Sequence, residues 1–155
     1  MDHITRAQQA LQALAVPGYQ PRTDDVVVDL DTGIVGKVSV LHADGRLILE
    51  RGRNDPDTEL GSDATAGRTA AATPDMTFWE VDIDFQMNGE IYGEERFRVV
   101  APDEDAATAL AERLAESSTY DDDRLPDRSF GVSVMKDDNF GADLAADAPS
   151  PSFGR

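Results

Sequence analysis

The apolar positions of this chain change period several times along its length, and those changes divide it. From Ile4 to Val16, the residues Ala7, Ala10, Leu11 and Leu14 follow the i, i+3, i+4, i+7 spacing of one helix face. Thr5 and Gln8 suit a capping box at its start, and Pro17-Gly18 stops it. From Val26 to Arg51 the period falls to two. The runs VVVDL, IVGKVSVLH and LILER, separated by Asp31-Thr32-Gly33 and Asp44-Gly45, predict a three-stranded meander. A two-residue turn at Asp44-Gly45 sets Val40 opposite Leu49 and Leu41 opposite Ile48. Both faces of this hairpin are then apolar, so it needs cover from the helix on one side and from a partner on the other.

Residues 54–75, rich in Ala, Thr, Asp and Gly, show neither period and read as a flexible linker or long loop. Alternation returns with Trp79, Val81, Ile83 and Phe85. A two-residue turn at Asn88-Gly89 would set Trp79 opposite Arg98 and Ile83 opposite Glu94. A three-residue loop, Met87-Asn88-Gly89, sets Trp79 opposite Phe97, Phe85 opposite Ile91 and Glu80 opposite Arg96, and is the register expected. Glu95 still falls inward, which predicts a bulge near Gly93. Asp103 then caps a helix running to about Ser117, striped by Ala107, Leu110, Ala111 and Leu114, with the acidic first turn that a helix dipole favours. Phe130, Val132 and Val134 alternate as a last strand. From Asp137 onward the composition is polar and disorder-prone.

The expected fold is α+β: mainly antiparallel sheet in the order αβββ–linker–ββαβ, with two short helices packed on the sheet or sheets. Its parts are 1–53, a linker at 54–75, a ββαβ module at 76–136 and a tail at 137–155. The linker either joins two small domains or interrupts one six-stranded sheet. Each half alone has a thin core, and domains that small are marginal. A core shared by 1–53 and 76–136, or oligomerisation, is therefore expected.

Composition changes the picture in one respect. The 155 residues carry 31 acids and 14 bases, a formal charge of −17, and no cysteine. Asp outnumbers Glu 22 to 9 and Arg outnumbers Lys 12 to 2. This pattern resembles the proteins of salt-in halophilic archaea. At molar salt the Debye length is only ~3 Å, so repulsion among surface carboxylates is largely screened. In dilute buffer the same charge opposes the compact state. The acidity is thus expected to answer to solvent rather than to a reaction. The absence of Cys excludes disulfides, zinc–thiolate sites and thiol nucleophiles. No apolar run approaches a membrane span, and the N-terminus has no signal-peptide core, so a cytoplasmic or virion location is expected.

Candidate chemistry is sparse. Glu80, Asp82 and Asp84 alternate through WEVDIDF, which places them on one strand face ~6.5–7 Å apart. Their predicted neighbours are mixed in charge, so the face reads as solvated. Asp29-Leu30-Asp31-Thr32-Gly33 opens like a calcium loop but lacks its third acid and closing Glu, and reads as an Asp-initiated turn. Asp121, Asp122, Asp123 and Asp127 form the densest acidic loop. His42 ends a strand and reads as structural. No nucleophile elbow, phosphate loop or dinucleotide fingerprint is present. Arg46, Arg51 and Arg53 gather near the third strand, with Arg96 and Arg98 on the second hairpin. Phe140, Leu144 and Phe153 stand as isolated apolar residues in the tail, suited to docking on a neighbouring chain.

No catalytic, metal or cofactor site is expected. The function expected is a non-enzymatic assembly or interaction protein of a halophilic archaeon or its virus or plasmid, with a protein partner or self-association. The candidate contacts are Arg96, Arg98, Phe140, Leu144 and Phe153. The alternatives are a nucleic-acid-associated regulator using the arginines, and a hydrolase dependent on metal or carboxylates.

Overall fold

The computed structural model describes residues 2–50, 62–116 and 128–147. Helix α1 spans His3–Gln12 and buries Ala7 and Leu11. Its cap is Asp2, one turn earlier than the expected Thr5: the Asp2 carboxylate accepts from the Thr5 N–H at 2.8 Å. Five strands follow, β1 (Val26–Asp29), β2 (Val35–Leu41), β3 (Arg46–Glu50), β4 (Ser62–Thr65) and β5 (Thr69–Ala71). They pair antiparallel in the order β4-β3-β2-β1-β5. This corrects the expected linker at 54–75, because Ser62–Ala71 supplies both edges of the sheet. Strands of three or four residues rich in Ala and Thr are too short to show a period.

The chain path forces this sheet to curl. In a flat sheet the two edges would lie ~19 Å apart, four strand spacings. Yet β4 and β5 are joined only by a single 3-10 turn, Ala66–Arg68. Thr65 to Thr69 spans at most ~14 Å of extended chain, and a 3-10 turn covers ~8 Å. The five strands therefore form a small, partly open barrel. Val27, Val38, Leu47 and Leu49 fill its interior with Ala64 and Ala66, and Tyr19 packs against them. Val28 and Val35 point the other way and join the main core. The interior is narrow at Gly36, where a β-carbon would lie 2.8 Å from the Glu50 carbonyl oxygen and 2.9 Å from Leu49 Cβ.

The second unit is β6 (Phe78–Met87), β7 (Glu90–Val100), α2 (Glu104–Glu116), β8 (Arg128–Lys136) and α3 (Asp138–Asp147). Its sheet is ordered β7-β6-β8, so α2 carries the chain across β6 from one edge to the other. The two hairpin loops exchange the lengths expected of them. Met87 pairs with Glu90 across a two-residue Asn88-Gly89 turn, both residues at positive φ, 54° and 82°. A bulge then adds Tyr92 as an extra residue in β7, so that Phe85 meets Gly93, Val81 meets Phe97, and Trp79 meets Val99. The bulge beside Gly93 was legible, but it corrects the short turn rather than the long one. At the other hairpin the His42 N–H bonds to the Arg46 carbonyl and Gly45 has φ 95°, a three-residue loop. Leu41 then faces Leu47 and Val40 faces Ile48, with a bulge before Val38 meets Leu49.

One core joins the two units. Ala7 and Leu11 of α1, Val28, Ile34 and Val35 of the barrel, Phe78, Val81, Ile83, Phe85 and Val99 of the second sheet, and Leu110 and Ala111 of α2 are all buried in it. The chain is thus α+β, with two separate sheets sharing that core. The seam is stitched at several points. Ile34 bridges Val99, and the Val100 N–H donates to the Gly33 carbonyl at 3.0 Å. Helices α1 and α2 are linked by Arg6 and Asp103 at 2.6 Å. That guanidinium, with the Ala106 N–H, lowers the Asp103 carboxyl to about 2.

The stretch expected to open a disordered tail instead forms α3, a third helix. Asp137 caps it, accepting from the Phe140 N–H at 3.1 Å. Phe140 meets Phe78 edge to face at 4.7 Å, and Phe140 and Leu144 both pack against the main core.

Gly36→Ala is expected to destabilise the fold by about 1–3 kcal/mol, because the atoms it would strike are backbone and a buried Leu stem that cannot swing away. Denaturant unfolding in molar KCl measures it; unchanged stability would mean the barrel is wider than described.

Candidate functional site

A polar recess lies at one mouth of the barrel. It has a volume of about 280 Å³ and is lined by Asp29, Asp31, His42, Arg46, Leu47, Ile48, Ala64 and Thr65. Curling brings these together: Asp29 ends β1, His42 follows β2, Arg46 opens β3 opposite Thr65, and Thr69, just past the 3-10 turn, pairs back with Asp29. Asp29 is the one buried carboxylate among the described residues, 4% exposed. Its oxygens accept from the Asp31 N–H at 3.0 Å and the Thr32 hydroxyl at 2.9 Å. The Gly33 N–H closes the turn on the Asp29 carbonyl at 2.7 Å, with φ 83° at Gly33. The DLDTG stretch is therefore an Asp-initiated turn. Burial raises the Asp29 carboxyl, and the two hydrogen bonds oppose that rise.

The charges around the recess are engaged. Asp31 pairs with Arg68 at 2.6 Å, and Arg46 with Asp44 at 3.0 Å. Such exposed pairs add little stability, but they leave the recess without a concentrated field of either sign. Among the described residues no group of three or more His, Asp or Glu gathers as metal ligands would.

The WEVDIDF carboxylates lie on the outer face of β6. Asp82 meets Arg96 across the sheet at 3.2 Å, and Glu80 meets Arg98 at 3.9 Å. Arg98, the better buried arginine, also reaches Asp137 at 3.0 Å and lies 4.0 Å over the Phe140 ring. Arg96 and Arg98 thus hold the chain's own carboxylates, and Arg98 fastens α3. Phe140 and Leu144, expected as contacts for another chain, pack half-buried against this chain's core. Phe153, Arg51, Arg53 and the Asp121–Asp123 loop with Asp127 lie outside the described residues.

A different feature is left unpartnered. In the order β7-β6-β8, β8 is an edge strand, and no described strand pairs with its outer side. Register fixes which groups face out. The Asp137 N–H donates to the Phe78 carbonyl at 2.9 Å, in line with Trp79↔Lys136. In an antiparallel ladder successive residues bond to alternate sides. Residues 131, 133 and 135 therefore bond to β6, while Phe130, Val132, Val134 and Lys136 turn their N–H and C=O outward. The side chains of Phe130, Val132 and Val134 are half-buried at the rim of the core, and Met135, on the opposite face, is 66% exposed. Between Arg128 and Lys136 the strand has no charge at all, in a chain of −17.

Sequence reading found this strand but not its edge position. The available signal was the charge-free run SFGVSVM; what was missing was the crossover that puts β6, rather than β8, at the centre. Comparison of the chain with protein-family models, with curated proteins and with solved structures finds no match.

The raised Asp29 carboxyl sets a pH dependence. A carboxyl raised in the folded state favours folding fully below its unfolded value near 3.8, and loses that advantage as pH rises through the higher folded value. The wild type is therefore expected to gain stability relative to Asp29→Asn as pH falls from 7 toward 4. Paired denaturation curves across that range check it; a pH-independent difference would place the Asp29 carboxylate in contact with water.

Proposed function

We propose that this chain is a non-enzymatic assembly or interaction protein of a halophilic archaeon, or of its virus or plasmid, and that it assembles by adding a strand at the β8 edge. The observation that carries the reading is that edge: outward backbone groups on Phe130, Val132, Val134 and Lys136, apolar side chains half-covered beneath them, and no acid on the strand. An exposed edge of this kind is a template for pairing with another chain, and soluble proteins usually blunt it with charge, proline or cover. Only its terminal residues, Arg128 and Lys136, carry charge here.

Two further features support the reading. The arginines suited to nucleic acid are held by Asp82, Glu80 and Asp137. Phosphate binding gains mainly from cation release, and that gain shrinks in brine. No helix among the described residues is long and apolar enough to cross a membrane. The reading places the chain in the cytoplasm or in a virion.

The halophilic part makes its own prediction. The thermal midpoint is expected to rise steeply between ~0.1 and 3 M KCl as the Debye length falls from ~10 Å to below 3 Å; a flat or falling midpoint would refute adaptation to salt. The assembly part is tested by light scattering and native mass in molar KCl. The wild-type chain is expected in a species heavier than one chain, alone or with a stoichiometric partner. Val132→Pro is expected to release it as a folded monomer, because that N–H points away from β6 and the internal ladder survives. A strict monomer that co-purifies with nothing removes the reading.

A further inference from the structure

The partner for the β8 edge can be argued from the edge itself. We infer that β8 pairs antiparallel with β8 of a second copy about a two-fold axis at Ser133, making one six-stranded sheet across the dimer. This rests on the strand-addition reading above and names its occupant.

A two-fold pair of antiparallel strands is self-complementary by construction, so each residue meets a fixed counterpart. Centring on Val132 would put two basic positions, 128 and 136 of the second copy, in register, and like charges directly opposite one another are destabilising. Centring one residue on, at Ser133, removes that clash. Val132 then faces Val134 of the second copy, and Val134 faces Val132, both pairs on the core side where these residues are half-buried. Phe130 faces Lys136, an aromatic ring beside a cation with an apolar stem. On the outer face Met135 comes over Gly131 of the second copy. Met135 is the most exposed large apolar side chain among the described residues, and a β-carbon at Gly131 would meet nothing within 4 Å. The space at Gly131 thus receives Met135, and the two-fold axis repeats the fit.

Backbone parity agrees. The outward-facing residues 130, 132, 134 and 136 meet one another as hydrogen-bonded pairs, while Ser133 meets Ser133 as a non-hydrogen-bonded pair with α-carbons ~4.5 Å apart. Lys136 is free to serve, since its pair with Asp138 is exposed and 3.6 Å long. Electrostatics points to the same strand. Two chains of −17 repel, and they meet at least cost where neither presents an acid; β8 contains none. At molar salt the remaining repulsion is screened within ~3 Å.

The absence of native cysteine gives a direct test, because one introduced thiol is then the only one. Gly131→Cys, Val132→Cys and Ser133→Cys are compared under mild oxidation in 2 M KCl, with circular dichroism confirming the fold. Only Ser133→Cys puts two thiols across the axis within disulfide reach, so it is expected to cross-link about ten-fold faster than the other two. Wild-type chain should scatter with the mass of two chains. Fast cross-linking at Gly131→Cys or Val132→Cys instead would overturn the register. A mass of one chain with a stoichiometric foreign partner, lost in Val132→Pro, would overturn self-pairing while leaving strand addition intact. A monomer with no partner would sink both.

Discussion

The structure depends on one burial: the outward face of the barrel against the inner face of the second sheet and α2. Val28, Ile34 and Val35 are buried in one core with Val99, Leu110 and Ala111. The barrel's own interior is four buried aliphatic side chains with small residues around them. At ~25 cal/mol per Å² such an interior yields only a few kcal/mol, less than the ordering entropy of its strands. The β6–β7–α2–β8 unit is no better placed, because a three-stranded sheet with one helix still exposes one side of that helix and the barrel-facing end of its sheet. Each unit is the other's missing layer. The Ile34–Val99 bridge and the Gly33–Val100 bond fix how they meet, and Gly33 at φ 83° makes the turn that allows it.

Acidity is arranged around that constraint. Among the described residues the carboxylates stay off the shared core, and the buried one, Asp29, sits at the barrel mouth with both oxygens occupied. On the second sheet, period two does the sorting. Val81, Ile83 and Phe85 face the core, while Glu80 and Asp82 face water opposite Arg98 and Arg96. The arginines therefore act first within the chain. Arg98 shows this best, joining a strand, the cap of α3 and an aromatic ring through one planar group.

Most of the fold was legible where period and capping were strong. The helix stripe of Leu110 and Ala111, the Asp103 cap and the alternation through Trp79–Phe85 read directly. Three things did not. Hairpin loop lengths failed because Asp44-Gly45 and Asn88-Gly89 each suit two loop types, and a bulge elsewhere in the strand decides which one holds. Residues 62–71 failed because short edge strands of small residues carry no period of their own, and only closure of the barrel makes them strands. Asp137–Leu144 failed because its apolar residues are sparse. Phe140 becomes a core residue through Phe78 and Arg98, which lie 62 and 42 positions away in the sequence.

That last failure bears on how the chain meets others. Sparse apolar residues in an acidic segment invite the reading of a docking tail, yet Phe140 and Leu144 pack on this chain's own core. Their docking helps define β8, since α3 folds back from its end onto Phe78. The strand along which Phe130, Val132 and Val134 alternate is the one left at an edge. Side-chain period reports which face of a sheet is buried; it is silent about strand order. Strand order comes from the crossover through α2, which places β6 in the middle and leaves the outward amides of β8 to be satisfied by water or by another strand. In the proposed assembly, concentrated salt makes charge repulsion between copies short-ranged, and a neutral edge of this kind would then favour the second strand.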